Sequence, residues 1–130
     1  MIPKFRAWDK RENTMRDVAV LHFTKGGKVN SIEYWKTPSE LKSYHVRNLV
    51  LMQSTGLKDK NGVEIFEGDV LYYIPFESHI NDSIVVFEKG SFCKKMLRNG
   101  KLTSVKFIDS EEYEVIGNIH ENPELLEVAE

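Results

Sequence analysis

Apolar and polar residues alternate singly, or run in short apolar blocks, along most of this chain, and turn residues interrupt them every few positions. Lys4-Phe5-Arg6-Ala7-Trp8 alternates charged and apolar side chains, the period of a half-buried strand. Val18 to Phe23 predicts a second strand, Gly26-Gly27 a turn into a third from Val29 to Trp35, and Asn48 to Gln53 a further strand. The second half is denser in such blocks. Val70 to Ile74 is closed by Pro75, and Ile84 to Glu88, Ser91 to Leu97, Leu102 to Ile108 and Tyr113 to Asn118 follow, with turns at Lys89-Gly90 and Asn99-Gly100.

Two stretches predict helix. Thr37-Pro38-Ser39-Glu40 has the form of a capping box with proline in the first turn, so a two-turn helix is expected to about Tyr44. Asn122-Pro123-Glu124 predicts a last helical turn carrying Leu125 and Leu126.

Between the halves, Leu51 to Val70 holds three turn signals: Thr55-Gly56, Asn61-Gly62 and Glu67-Gly68-Asp69. Asn61-Gly62 predicts a hairpin turn with both residues at positive φ, after which Val63 and Ile65 point one way and Glu64 the other. Gly56, Asn61, Gly62, Gly68 and Asp69 are thus structural turn residues, Asp69 capping nearby backbone. The expected fold is α+β, mostly β. A mixed α/β N-terminal subdomain, residues 1–55, is expected to pack on a β-rich C-terminal subdomain, residues 56–130, built as a small antiparallel barrel or sandwich. No flexible linker separates them, so one compact unit is expected.

Composition narrows the function. At 130 residues with 41% apolar and 29% charged residues, the chain matches an ordinary single-domain globular protein. Its formal net charge of -2 argues against general coating of nucleic acid. One cysteine, Cys93, excludes an intrachain disulfide and a multi-cysteine zinc site, and reads as a small core residue. No window approaches a membrane span, and charge comes too early at the N-terminus for a secretory signal, so a cytoplasmic location is expected. The histidines His22, His45, His79 and His120 lack ligand spacing, and Asp59 to Gly62 fails as a calcium loop because Leu57 and Gly68 would have to be ligands. No metal or cofactor is expected.

Glu64, Glu67 and Asp69 cluster near the central turn and offer the one enzyme-like reading, a carboxylate-based acid and base. No nucleophile or oxyanion donor accompanies them, and a solvated turn is the better reading. The strongest asymmetry is electrostatic. Lys89, Lys94, Lys95, Arg98, Lys101 and Lys106 occupy a stretch free of acids, whereas residues 109–130 carry acids and no lysine or arginine. With Phe92, these bases form a candidate binding hairpin for a protein partner. Nucleic acid is open but less favoured, since the acidic stretch would repel phosphate. A surface on which the two stretches neutralise each other, within the chain or across a homo-oligomer, is the favoured reading. An aromatic groove among Tyr34, Trp35, Tyr72, Tyr73, Phe76 and Phe87 is open, with core packing the better reading of those rings.

Three blocks carry a resemblance: Lys4 to Asp9, the run Leu51 to Gly62 with Ile65 to Val70, and Tyr113 to Leu126. Together they resemble the YopX family of phage and prophage proteins, departing from its usual tyrosines at Ser54 and near Phe66. The resemblance implies an origin in a temperate phage or integrated element and a bacterial cytoplasmic location. It also implies a mixed N-terminal part with an SH3-like C-terminal part, and it transfers neither a reaction nor site residues. The function expected is a non-enzymatic binding module, with a carboxylate enzyme or a self-assembling structural protein as alternatives.

Overall fold

The computed structural model describes residues 4–76 and 78–127. The chain is mostly β and divides into two compact units, Met1–Gln53 and Ser54–Glu130. Strands β1 (Phe5–Asp9), β2 (Thr14–Phe23), β3 (Val29–Thr37), β4 (Glu40–His45) and the first part of β5 (Leu49–Lys58) build the first unit in the order β4-β3-β2-β1-β5. All neighbours are antiparallel. Alternation decides which side is buried: Ala7, Ile32, Tyr34 and Leu49 form the core, flanked by Val18, Leu21, Val29, Tyr44 and Leu51.

The helix expected from Thr37 to Tyr44 does not form; this segment is a turn followed by β4. The Thr37 hydroxyl accepts from the Ser39 amide at 3.4 Å, a local turn bond rather than a helix cap. Beyond it, Leu41 and Tyr44 are the only apolar residues from Leu41 to His45, too few to give a helix a face to bury. Pairing with β3 sets Tyr44 opposite the buried Ile32, while Leu41 and Trp35, also opposite each other, stay exposed. Every helical element among the described residues is a 3-10 turn, so the α part of the expected α+β class is absent there. The expected last turn is one of these, Pro123–Leu126. Asn122 does not cap it with its side chain, because Asn122 Oδ1 instead accepts from the Asn118 amide at 3.2 Å.

In the second unit the later part of β5 pairs with β6 (Glu64–Phe66). Strands β7 (Asp69–Tyr73), β8 (Ser83–Glu88), β9 (Ser91–Met96), β10 (Leu102–Ser104) and β11 (Tyr113–Asn118) form an antiparallel sheet in the order β10-β9-β8-β7-β11. Its edges β10 and β11 are not paired with each other, so the sheet is not a closed barrel. Ile65, Leu71, Val85 and Tyr113 form the core, with Leu57, Tyr73, Ile108 and Val115 against it.

The turns differ in type from the expectation. At Asn61-Gly62 only Gly62 has positive φ, 78°. The Gly62 amide donates to the Asp59 carbonyl at 3.0 Å, and the turn starts at Asp59. Val63 is consequently outside β6 and 47% exposed, while Ile65 is 1% exposed, so the two do not share a buried face. The turn with two positive-φ residues is Lys89-Gly90, at 53° and 79°, where β8 meets β9. That geometry follows the twist of a two-residue hairpin.

Candidate functional site

The basic hairpin is real as a β8–β9–β10 ribbon, but its cations do not share one face. Lys94 lies opposite Val85 and Thr103. Its ammonium sits 5.6 Å from the centre of the Tyr113 ring, on the core side. Burial, reinforced by the charge of Lys101, lowers the Lys94 pKa. Lys95, the next residue, points to the opposite face and is exposed. Lys89 is in the hairpin turn, Arg98 and Lys101 flank the β9–β10 loop, and Lys106 is on the 3-10 turn Val105–Phe107; all four are exposed. Among the described residues no ion pair joins these bases to the acids that follow Asp109.

What the fold does bring together is Phe92 and Lys106. Phe87 and Phe92 are cross-strand partners beside the Lys89-Gly90 turn, and their rings meet edge to face at 5.1 Å and 74°. They wall a cleft of about 420 Å³ with Leu57, Val105 and Ile108 as its apolar lining and Thr55, Ser91 and Lys106 as its polar groups. Phe87 remains 52% exposed there. Sequence reading placed Phe92 and Lys106 in the hairpin and Phe87 among groove aromatics. It missed Leu57, Val105 and Ile108, which are indistinguishable from core residues by local pattern.

The central turn is held by carboxylates acting on backbone. Asp69 is buried, and its carboxylate accepts from the Phe66 amide at 2.8 Å. Gly56 and Gly68 have φ of 81° and 85°, a conformation glycine adopts without strain. Asp59, which sequence reading considered only as a failed metal ligand, carries more. One carboxylate oxygen accepts from Asn61 at 2.8 Å and Val63 at 2.9 Å, and the other from Val115 at 2.9 Å on β11. The spacing Asp-x-Asn-Gly signals the turn, but nothing local signals Val115. Glu64, Glu67 and Asp69 do not line the aromatic cleft. Among the described residues no group of three His, Cys, Asp or Glu is placed to hold a metal ion. Cys93 is buried on β9. No described helix is long and apolar enough to cross a membrane.

Fold and clefts together define a small antiparallel β protein of two units with ligand-sized surface depressions and turns braced by buried aspartates. The chain belongs to the YopX family, whose profile, described as YopX protein, matches residues 4–127. It is similar to the crystal structure of protein EF1440 from Enterococcus faecalis, at 35% identity and a TM-score of 0.72, over 98% of this chain and 99% of that one. Its fold is also similar to that of protein yopX from Bacillus subtilis, at 24% identity and a TM-score of 0.65, over 95% and 98% of the two chains. No curated protein matches the chain.

Proposed function

We propose that the protein is a non-enzymatic binding module that takes an aliphatic side chain of a protein partner into the Phe87–Phe92 cleft. The observation that carries this reading is the edge-to-face pair of phenylalanines left open over an apolar floor with Lys106 at the rim. Burying an aliphatic anchor there removes apolar surface from water on both sides, the usual source of affinity at such sites. Lys106 at the rim, and Lys89 in the adjoining turn, favour a segment with acids flanking that anchor. For the second unit the reading includes an SH3-like plan. Its support is the sheet order, in which β7 to β10 run on by neighbours and β11 returns to β7 after a 3-10 turn. A phage or prophage origin and action in the bacterial cytoplasm belong to the same proposal.

Selection from a random peptide library on the full chain tests it. The expected peptides share an aliphatic anchor with acidic neighbours, and Phe87→Ala or Lys106→Glu weakens them about tenfold or more. Peptides without that pattern, or binding indifferent to both substitutions, would refute it.

A further inference from the structure

In the first unit, the β1–β2 turn, β4 and the 3-10 turn Val46–Asn48 surround a second cleft of about 450 Å³. Its lining includes Arg11, Lys42, Arg47, Tyr44, Asn48 and a single acid, Glu12. Glu12 is engaged elsewhere: its carboxylate pairs with Arg16, which also reaches Asp9 at 3.4 Å. Arg11, Lys42 and Arg47 have no carboxylate partner among the described residues. Three uncompensated cations therefore converge on one polar depression.

Two further features go beyond charge. The Arg11 guanidinium lies over the Tyr44 ring, 4.8 Å from its centre, a cation–π contact that anchors this cation at the cleft. The outer face of such a guanidinium is a platform on which a nucleobase stacks. The Tyr44 hydroxyl oxygen, meanwhile, is buried and has no hydrogen-bond partner. A buried hydroxyl left unpaired is costly, and a polar ligand atom in the cleft would satisfy it. His45 Nδ1 accepts from the Arg47 amide at 3.1 Å, which leaves Nε2 as the protonated nitrogen, a further donor at the rim.

We propose that this cleft binds a nucleotide, free or as one unit of a single strand, with the base on Arg11 and the phosphate between Lys42 and Arg47. The cleft size matches a small-molecule site. A bare anion would use the charges but has no planar group to lie on Arg11. The proposal stands independently of the aromatic cleft.

Calorimetric titration of the full chain at low salt with AMP, UMP, inorganic phosphate, phosphotyrosine and a short oligothymidylate tests it. The nucleotides are expected to bind about tenfold more tightly than inorganic phosphate. Arg11→Ala should abolish that preference while leaving phosphate binding, Arg47→Glu should weaken every anion, and Tyr44→Phe should cost nucleotide affinity a few-fold with an unchanged melting temperature. An oligonucleotide tighter than the mononucleotides supports a strand as the source; equal affinities support the free nucleotide. Nucleotide binding no tighter than phosphate, none at millimolar concentration, or tighter binding of phosphotyrosine would overturn it.

Discussion

Gly117 is a position where the packing permits no side chain. It sits in β11 at a bulge, since Val115 faces Leu71 but Gly117 faces Val70. A methyl group there would collide with Asn122 Oδ1 and come within 2.8 Å of Leu125 Cδ1. Both neighbours belong to the closing 3-10 turn, and Asn122 Oδ1 is the acceptor for the Asn118 amide at 3.2 Å. Overpacking of this kind costs about 1–3 kcal/mol. Displacing the Asn122 acceptor adds about 0.5–1.5 kcal/mol, so Gly117→Ala should lose roughly 2–4 kcal/mol. With an unfolding entropy of about 2.1 cal/mol/K per residue over the whole chain, each kcal/mol lowers the melting temperature by about 4 °C. The expected drop is about 8–15 °C by calorimetry. Asn122→Ala in the same background should recover part of it, because the collision partner is gone, giving a coupling of about 1 kcal/mol. A Gly117→Ala variant within about 0.5 kcal/mol of the parent, or strict additivity of the two substitutions, would refute the steric account.

Two further outcomes are expected. Asp59→Ala strips acceptors from three backbone amides, two in the turn and one in β11, and should cost about 3–5 kcal/mol in urea unfolding, with Asp59→Asn losing about half as much. An Asp59→Asn variant as stable as the parent would show that the Val115 contact contributes nothing, because its remaining carboxamide oxygen still serves Asn61 and Val63. Burial holds the Asp82 carboxyl above its ordinary value of 3.8, against the opposing hydrogen bond and charge of His79. The folded chain therefore holds this proton more tightly than the unfolded chain. The resulting stability is complete below 3.8 and is lost as pH rises through the folded-state value. Relative to Asp82→Asn, the parent should gain stability on acidification from about pH 6 to about pH 3, and parallel curves would contradict the sign.

Much of the strand content was legible because it depends on neighbours in sequence. Alternation in Phe5–Asp9, the apolar run in Asp69–Tyr73 and the glycines at 56, 62 and 68 act over one or two residues, where sterics and burial leave few choices. Where local signals were evenly balanced, tertiary pairing decided. Thr37 to Glu40 has the chemistry of a helix start, yet β3 offered Leu41 and Tyr44 partners that an isolated short helix lacks. The Asn61-Gly62 pair likewise marked a turn correctly and its type wrongly, because the Asp59 side chain claimed the amides of Asn61 and Val63.

The chain alone determined a mostly β protein of the YopX family with turns at its glycines, since family motifs and strand period are written in consecutive residues. Which residues meet across the fold was decided only in three dimensions. Lys94 and Lys95 are adjacent in sequence, but the pleat sends them to opposite faces, so a basic run became two unrelated surfaces. Arg11, Lys42 and Arg47 are scattered along the chain, on the β1–β2 turn, on β4 and on the 3-10 turn after it, and only the fold brings them to one cleft. A charge run shows in sequence, whereas convergence depends on strand order and register, which long-range pairing alone sets.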